Sequence, residues 1–222
     1  MYPTTGVLRW LYNMTVRRVL PRKIASLNGV PVRYVKLLDV TDTFPAYEAS
    51  LVASIRKWVN GGEHAVIIGG GAGVSTVVTA RCIELDGTVT VYEGNAEQAD
   101  LVMETVELNN VGPTVRIRQM VVGEARSVWG GADDCTPLPP EDLPGCDVLV
   151  MDCEGAESVV LDSLDIDPDI IIVETHGHLN SPTDKVQSLL VDQGYQVVDE
   201  LTENADIGVD VLTAIRSDQE SR

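Results

Sequence analysis

Two short stretches place acids and imidazoles directly after runs that look like buried strands. Asp152 and Glu154 follow "VLVM", and Glu174, His176 and His178 follow "IIIV". Adjacent parallel strands lie about 5 Å apart, so two such strand ends would bring these groups into one cluster. Histidine is the side chain best matched to proton transfer near neutral pH, and carboxylates can orient a hydroxyl or hold a cationic ligand group. His176 is therefore the expected general base, assisted by Asp152 or Glu174, with Glu154 at the edge of the same site. A divalent metal on Asp152, Glu174 and His176 is a second use of these types, but their spacing matches no metal motif and none is assigned. The plain structural alternative is that Asp152 and Glu174 cap helices. Glu157 reads as a first-turn helix acid favoured by the helix dipole.

A second candidate lies upstream. "AVIIGGGAGVS" supplies Gly69, Gly71 and Gly73 between a branched apolar run and a segment of helical length. Glycines there let backbone approach a ligand, and the helix start offers free N–H groups. The dinucleotide fingerprint G-x-G-x-x-G/A is incomplete, because Val74 occupies its last position. Glu93 in "VYEGN" ends the next apolar run, where an acid can accept hydrogen bonds from both ribose hydroxyls.

These residues need a scaffold that brings strand ends together. "AVIIGG", "TVTVYE", "TVRIRQMVV", "DVLVMD" and "DIIIVE" read as strands; "VSTVVTARCIEL", "AEQADLVMETVELNN", "AESVVLDSL" and "TDKVQSLLVDQG" read as helices. Asn95 is a plausible N-cap for the second helix. The alternation predicts an α/β, doubly wound, mostly parallel sheet with helices on both faces. "YQVVDEL" and "GVDVLTAIR", joined by "TENADI", predict an antiparallel C-terminal edge hairpin. In such sheets ligands sit beyond the carboxyl ends of the strands. "GEARSVWGGADDCTPLPPEDLPG" reads as a loop.

Composition bounds the rest. The 222 residues carry 16 Lys+Arg against 34 Asp+Glu, a formal net charge of −18. That balance argues against nonspecific binding to nucleic acid or anionic membrane by the bulk of the surface. The charge is uneven: residues 1–38 hold seven basic residues and no acid. Residues 1–43 are expected to form a basic, helical extension able to touch membrane or a partner, with "VLRWLYNMTVRRVLPRKIA" as the amphipathic piece. Residues 44–222 are expected to form a single domain. Four Lys, one Phe and dominant acids suggest a salt-adapted, haloarchaeal source. Cys82, Cys135, Cys146 and Cys153 show no zinc or disulfide spacing, and no leader or spanning segment is evident, so the chain reads as cytoplasmic.

"DCEGAESVVLDSL" followed by "IIIVETH" resembles the FkbM-type methyltransferases, which pair a D-x-E-G-x-E segment with a later strand ending in E-x-H. "FPAYEASLVASIRKWVNGGEHAVIIGGGAGVST" resembles the same family's entry into its cofactor domain. The resemblance spans roughly residues 44–198 and implies a class I Rossmann-like fold binding S-adenosylmethionine, usually for O-methylation. By matching positions it implies that Gly69, Gly71 and Gly73 lie against the methionine portion, Glu93, Gly94 and Asn95 near the ribose, and Val122, Gly123 and Glu124 near the adenine. Asp152 and Glu154 would edge the transfer site, with Glu174 and His176 opposite and Glu48 near the cofactor. Ile67 stands where the family usually has an acid, so the cofactor's amino group needs another anchor.

The expected activity is methyl transfer to a hydroxyl of a small molecule, sugar or glycan. An NAD-dependent oxidoreductase and a non-catalytic nucleoside-binding module are the alternatives. A nucleic-acid methyltransferase using the basic head is disfavoured by the acidic body.

Overall fold

The computed structural model describes Trp10, residues 14–123 and residues 135–217. Most of the amphipathic head, Glu124 and the centre of the Gly/Pro-rich loop lie outside these residues. A helical turn at Val16–Val19 leads into strands β1 (Arg22–Leu27) and β2 (Val30–Lys36). The helix expected through residue 25 thus gives way to a β-hairpin. Its turn is Asn28-Gly29, both at positive φ (47° and 81°), the dipeptide that fits a tight hairpin twist. Strand β3 (Thr43–Phe44) adds in parallel to β1.

Helix α1 (Ala49–Trp58) is followed by β4 (His64–Ile68), α2 (Val74–Ile83), β5 (Thr88–Tyr92), α3 (Ala96–Leu108) and β6 (Val115–Arg118). The expected single strand "TVRIRQMVV" is broken at Gln119, and β7 (Met120–Val122) pairs instead with β8 (Thr136–Leu138) from the expected loop. Then come β9 (Val148–Met151), α4 (Glu157–Asp162), β10 (Ile170–Glu174), α5 (Thr183–Asp192), β11 (Tyr195–Asn204) and β12 (Val209–Arg216).

The main sheet has the order β11-β12-β10-β9-β4-β5-β6. Strands β4, β5, β6, β9 and β10 are parallel, and β12 runs against both β10 and β11. This is the expected doubly wound sheet with its C-terminal hairpin. The chain winds outward from β4 through β6, then returns to the other side of β4 as β9, which opens a crevice between those two strand ends.

Period-two alternation sends each strand's residues to two cores. Ala65, Ile67, Val89, Val91, Val148, Val150 and Ile172 pack under α1, α2 and α3. Val66, Ile68, Leu149, Met151, Ile171 and Val173 pack under α4 and α5. Leu27, Val30 and Val32 of the N-terminal hairpin belong to the first of these cores, so the hairpin is held to the sheet by burial. Past β2 the head turns apolar and open, with Leu37, Leu38 and Val40 exposed. No helix among the described residues is long and apolar enough to cross a membrane.

Candidate functional site

Sheet register aligns the polar strand ends. Ile68 pairs with Met151 on one side and Tyr92 on the other, and Met151 pairs with Val173. The next residue on each strand therefore falls in one row: Glu93, Gly69, Asp152 and Glu174. Apolar side chains fill the sheet up to that row, and the acids begin where the sheet meets the crevice.

A cavity of ≈ 250 Å³ opens there. The glycine turn (Gly69, Gly71), Glu93, Gly94 and Val122 line it, as do Asp152, Glu154 and Glu48, all expected from the sequence. Tyr34, Tyr47, Gln98, Met120 and Val121 line it as well and were not expected. Tyr34 comes from β2 of the hairpin and stands edge-on to Tyr47, with ring centroids 6.1 Å apart. The Asn28-Gly29 turn between alternating apolar residues was the signal that could have located this wall.

Other expected residues sit beside the cavity. Gly73 is the N-cap of α2 and packs on Thr105 and Val102. Asn95 caps α3, its Oδ1 accepting the Gln98 N–H at 3.0 Å. Gly123 turns the chain out of β7 at φ 84°.

Glu93 is buried, and its carboxylate accepts the Gly70 and Gly71 N–H groups at Oε2 (2.9 and 3.2 Å) and the Asn95 N–H at Oε1 (2.9 Å). It thus fixes the shape of the glycine turn and the start of α3 while facing the cavity. A carboxylate has about four acceptor sites, so hydroxyls can still be received.

Glu48 adopts a left-handed backbone (φ 46°, ψ 44°), rare for a residue with a side chain. This sets it beside the glycine turn, where a Cβ on Gly71 would lie 3.7 Å from its Oε1. The N-terminus of α1 is capped instead by Glu203 of β11, which accepts the Ala49 and Ser50 N–H groups (3.2 and 2.6 Å). Glu48 does not cap its own helix and lines the cavity, where the Tyr47 hydroxyl and the Ser75 N–H reach its carboxyl while its buried Oε2 has no hydrogen-bond partner. Burial, then the neighbouring Asp152 charge, pushes its carboxyl up to about 8.

At the other end of the cavity the structure unites Asp152, Glu154, Glu174 and His176, and adds Glu157. Glu157 Oε1 lies 2.8 Å from His176 Nδ1 and also accepts the Gly155 N–H at 3.0 Å. Glu157 sits in the first turn of α4 as expected, but it is fully buried and also serves as a partner of the imidazole. The opposite nitrogen, Nε2, faces Asp152 Oδ1 at 3.6 Å and Glu154 Oε2 and Glu174 Oε1 at 3.7 Å each. Burial works against a charged His176, but the Glu157 hydrogen bond and the surrounding carboxylates outweigh it and raise its pKa to about 9. Burial first, and neighbouring carboxylates with it, raise the carboxyls of Asp152 and Glu174 against the opposing charge of His176. His176 does not line the cavity; Asp152 and Glu154 do. His178 is exposed and outside the cluster.

No protein-family model matches the sequence and no curated protein matches it. Solved structures do resemble the fold. A ribosomal protein L11 methylase from Lactobacillus delbrueckii subsp. bulgaricus aligns at a TM-score of 0.56 and 14% identity, over 82% of this chain and 88% of that one. A protein described as an rRNA methylase from Clostridium thermocellum aligns at 0.51 and 12%, over 74% and 94%. A SAM-dependent methyltransferase from Aquifex aeolicus aligns at 0.50 and 16%, over 76% and 92%. At such identities the likeness is one of fold, and the fold is that of the class I methyltransferases.

Proposed function

We propose that this chain is an S-adenosylmethionine-dependent methyltransferase of the FkbM type that methylates a hydroxyl. The carrying observation is the cavity at the sheet's switch point, which joins a glycine turn braced by Glu93 to an end walled by carboxylates. The fold neighbours, methylases by name, support the methyltransferase part of this reading; the FkbM type and the hydroxyl acceptor rest on the sequence resemblance.

The residues present suit a cationic nucleoside. Gly69 and Gly71 would lie against the methionine portion, Glu93 would accept the ribose hydroxyls, and Met120, Val121 and Val122 would cover the base. Ile67 is buried in the sheet and offers no charge; Glu48, whose Oε1 stands beside Gly71, is the carboxyl that would anchor the amino group, giving up its proton as the cation binds. The cavity lining holds no Lys, Arg or His among the described residues. The pyrophosphate of a nicotinamide dinucleotide would meet Glu48, Glu93, Asp152 and Glu154 with nothing to offset its charge, which disfavours the oxidoreductase alternative.

When bound, the cofactor supplies an electrophilic methyl group on a sulfonium. The chain's own work is to align an acceptor oxygen at the Asp152–Glu154 end and to take its proton on a carboxylate oxygen there. Those two residues reach the cavity, so the base role expected for His176 moves to them. His176 then acts on the site through its contacts with these carboxylates.

Sugars and glycans head the acceptor list because of the FkbM resemblance. Nucleic acid joins it, against the expectation from charge alone, because a neighbour of the same fold is described as acting on rRNA.

Calorimetric titration in molar KCl with S-adenosylmethionine, S-adenosylhomocysteine and NAD is the test. Binding of both sulfur nucleosides without NAD is expected, followed by transfer of labelled methyl to an acceptor panel of sugars, glycolipids and RNA. NAD binding alone would overturn the reading, and nucleoside binding without transfer to any acceptor would favour the binding module.

A further inference from the structure

We propose that Asp152, Glu174 and His176 form a divalent cation site at the back of the cavity, with Glu154 at its open side. Their ligand atoms all lie within 4.8 Å of one another. Three carboxylate oxygens stand 3.6 to 3.7 Å from His176 Nε2. That is too long for a hydrogen bond, whose N···O distance is about 2.7–3.2 Å. It is slightly longer than the spacing of two ligands sharing one ion, about 3.3–3.6 Å in a tetrahedral arrangement at metal–ligand distances of about 2.0–2.2 Å, so an entering cation would draw these groups a little together.

Two independent features point to a ligand rather than to a bare acidic cluster. Glu174 is only 8% exposed, yet its Oε2 is buried without any hydrogen-bond partner. A buried, unpaired carboxylate oxygen is costly, and a cation is the partner that would relieve it. The second feature is the imidazole itself. Glu157 Oε1 holds Nδ1 at 2.8 Å and is anchored by the Gly155 N–H at 3.0 Å. This fixes the ring and turns Nε2 toward the carboxylates, the arrangement in which a carboxylate orients a metal-bound histidine. Glu157 Oε1 accepts from Nδ1–H, and a cation entering the site displaces the proton of the charged ring from Nε2 and takes the lone pair that faces the carboxylates.

The donor set selects the ion. One imidazole nitrogen with two or three carboxylates suits a first-row divalent cation such as Mn²⁺ better than Ca²⁺, which prefers six to eight oxygens (about that many in most sites). It is not a closed thiolate site of the structural zinc kind. Access runs through Asp152 and Glu154, whose side chains are 23% and 41% exposed and line the cavity. An ion there would sit beside the acceptor end. Its use in polarising an acceptor hydroxyl rests on the methyl-transfer reading; its binding does not.

The test is Mn²⁺ binding to the full chain, stripped with chelator and kept in molar KCl without nucleoside. Calorimetry should give about one ion per chain in the micromolar range, and pulsed paramagnetic resonance should show coupling to an imidazole nitrogen. Glu174→Gln and His176→Gln should abolish binding, the second removing the nitrogen coupling, with circular dichroism unchanged. Glu157→Gln, a positioning change, should weaken it about 10–100-fold. No saturable binding of Mn²⁺, Mg²⁺ or Zn²⁺ by the folded protein would overturn the site, as would binding that survives both ligand substitutions. Because nucleoside binding is measured separately, failure of the ion site leaves the methyltransferase reading standing, and the converse also holds.

Discussion

The backbone oxygen of Asp152 occupies the space that a Cβ on Gly69 would need. The ends of β4 and β9 therefore touch, through backbone alone, at the point where the sheet changes winding direction. Gly69 also stands at φ +92°, which a side chain resists. Gly69→Ala should destabilise the protein by at least about 2 kcal/mol, from overpacking and backbone strain together. Denaturant unfolding in molar KCl checks this, and an unchanged midpoint would show that the two strand ends can part freely.

Glu48 gives a pH signature. Its carboxyl ordinarily titrates near 4.5 and is pushed up to about 8 in the fold, by burial first and then by Asp152. Between those values the folded state binds more protons than the unfolded one, so Glu48 makes stability fall as pH rises. Glu48→Gln should remove that slope. Its melting temperature should exceed the wild type's at pH 8 and approach it at pH 5, by roughly 2–4 °C for each kcal/mol gained. The same substitution should weaken S-adenosylmethionine binding at least about tenfold. Parallel melting curves across the whole range would show that Glu48 keeps its charge.

Glu93 accepts three backbone N–H groups, so its removal acts on both shape and binding. Glu93→Ala is expected to raise the S-adenosylhomocysteine dissociation constant about 10–100-fold, the loss of one to two hydrogen bonds to a charged group. An unchanged constant would remove its ribose role and leave it as a brace for the turn.

Tyr34 tests whether the N-terminal hairpin belongs to the site. The residue is 43% exposed, lines the cavity, and its ring stands edge-on to Tyr47 and Phe44. Tyr34→Ala should weaken nucleoside binding several-fold, with little change in melting temperature. Equal affinity in the variant would return the hairpin to a purely structural role.

The net charge of −18 predicts a dependence on salt. Self-repulsion among the acids should lower the melting temperature as KCl is diluted from molar to about 0.1 M, beyond what Debye screening of a few pairs would cause. A melting temperature independent of KCl would set aside the salt-adapted reading.

Much of the fold was legible because local pattern and tertiary demand agree. Val148 to Met151 are all apolar and fully buried, as a strand covered on both faces requires. Asn95 caps its helix through its own side chain, a contact that depends on three neighbouring residues. The hairpin was not read, since the basic residues of the head suggested a helical face and drew attention away from Asn28-Gly29. Strand β7 was merged with β6, because a one-residue break at Gln119 leaves no mark in alternation. Glu157 was read as a first-turn helix acid, and it is one; only the packing of α4 against the strand end carrying His176 buries it and gives it the imidazole as a partner.

The sequence by itself determined the parallel sheet, the glycine turn and which strands end in acids, because each follows from periodicity or residue type within a few positions. The tertiary structure alone decided which acids meet. Register sets Glu93, Gly69, Asp152 and Glu174 in one row, the turn after β10 brings His176 to Glu157 across nineteen residues, and a left-handed backbone turns Glu48 into the cavity. Those relations depend on distances between elements far apart in the chain, which no local pattern encodes.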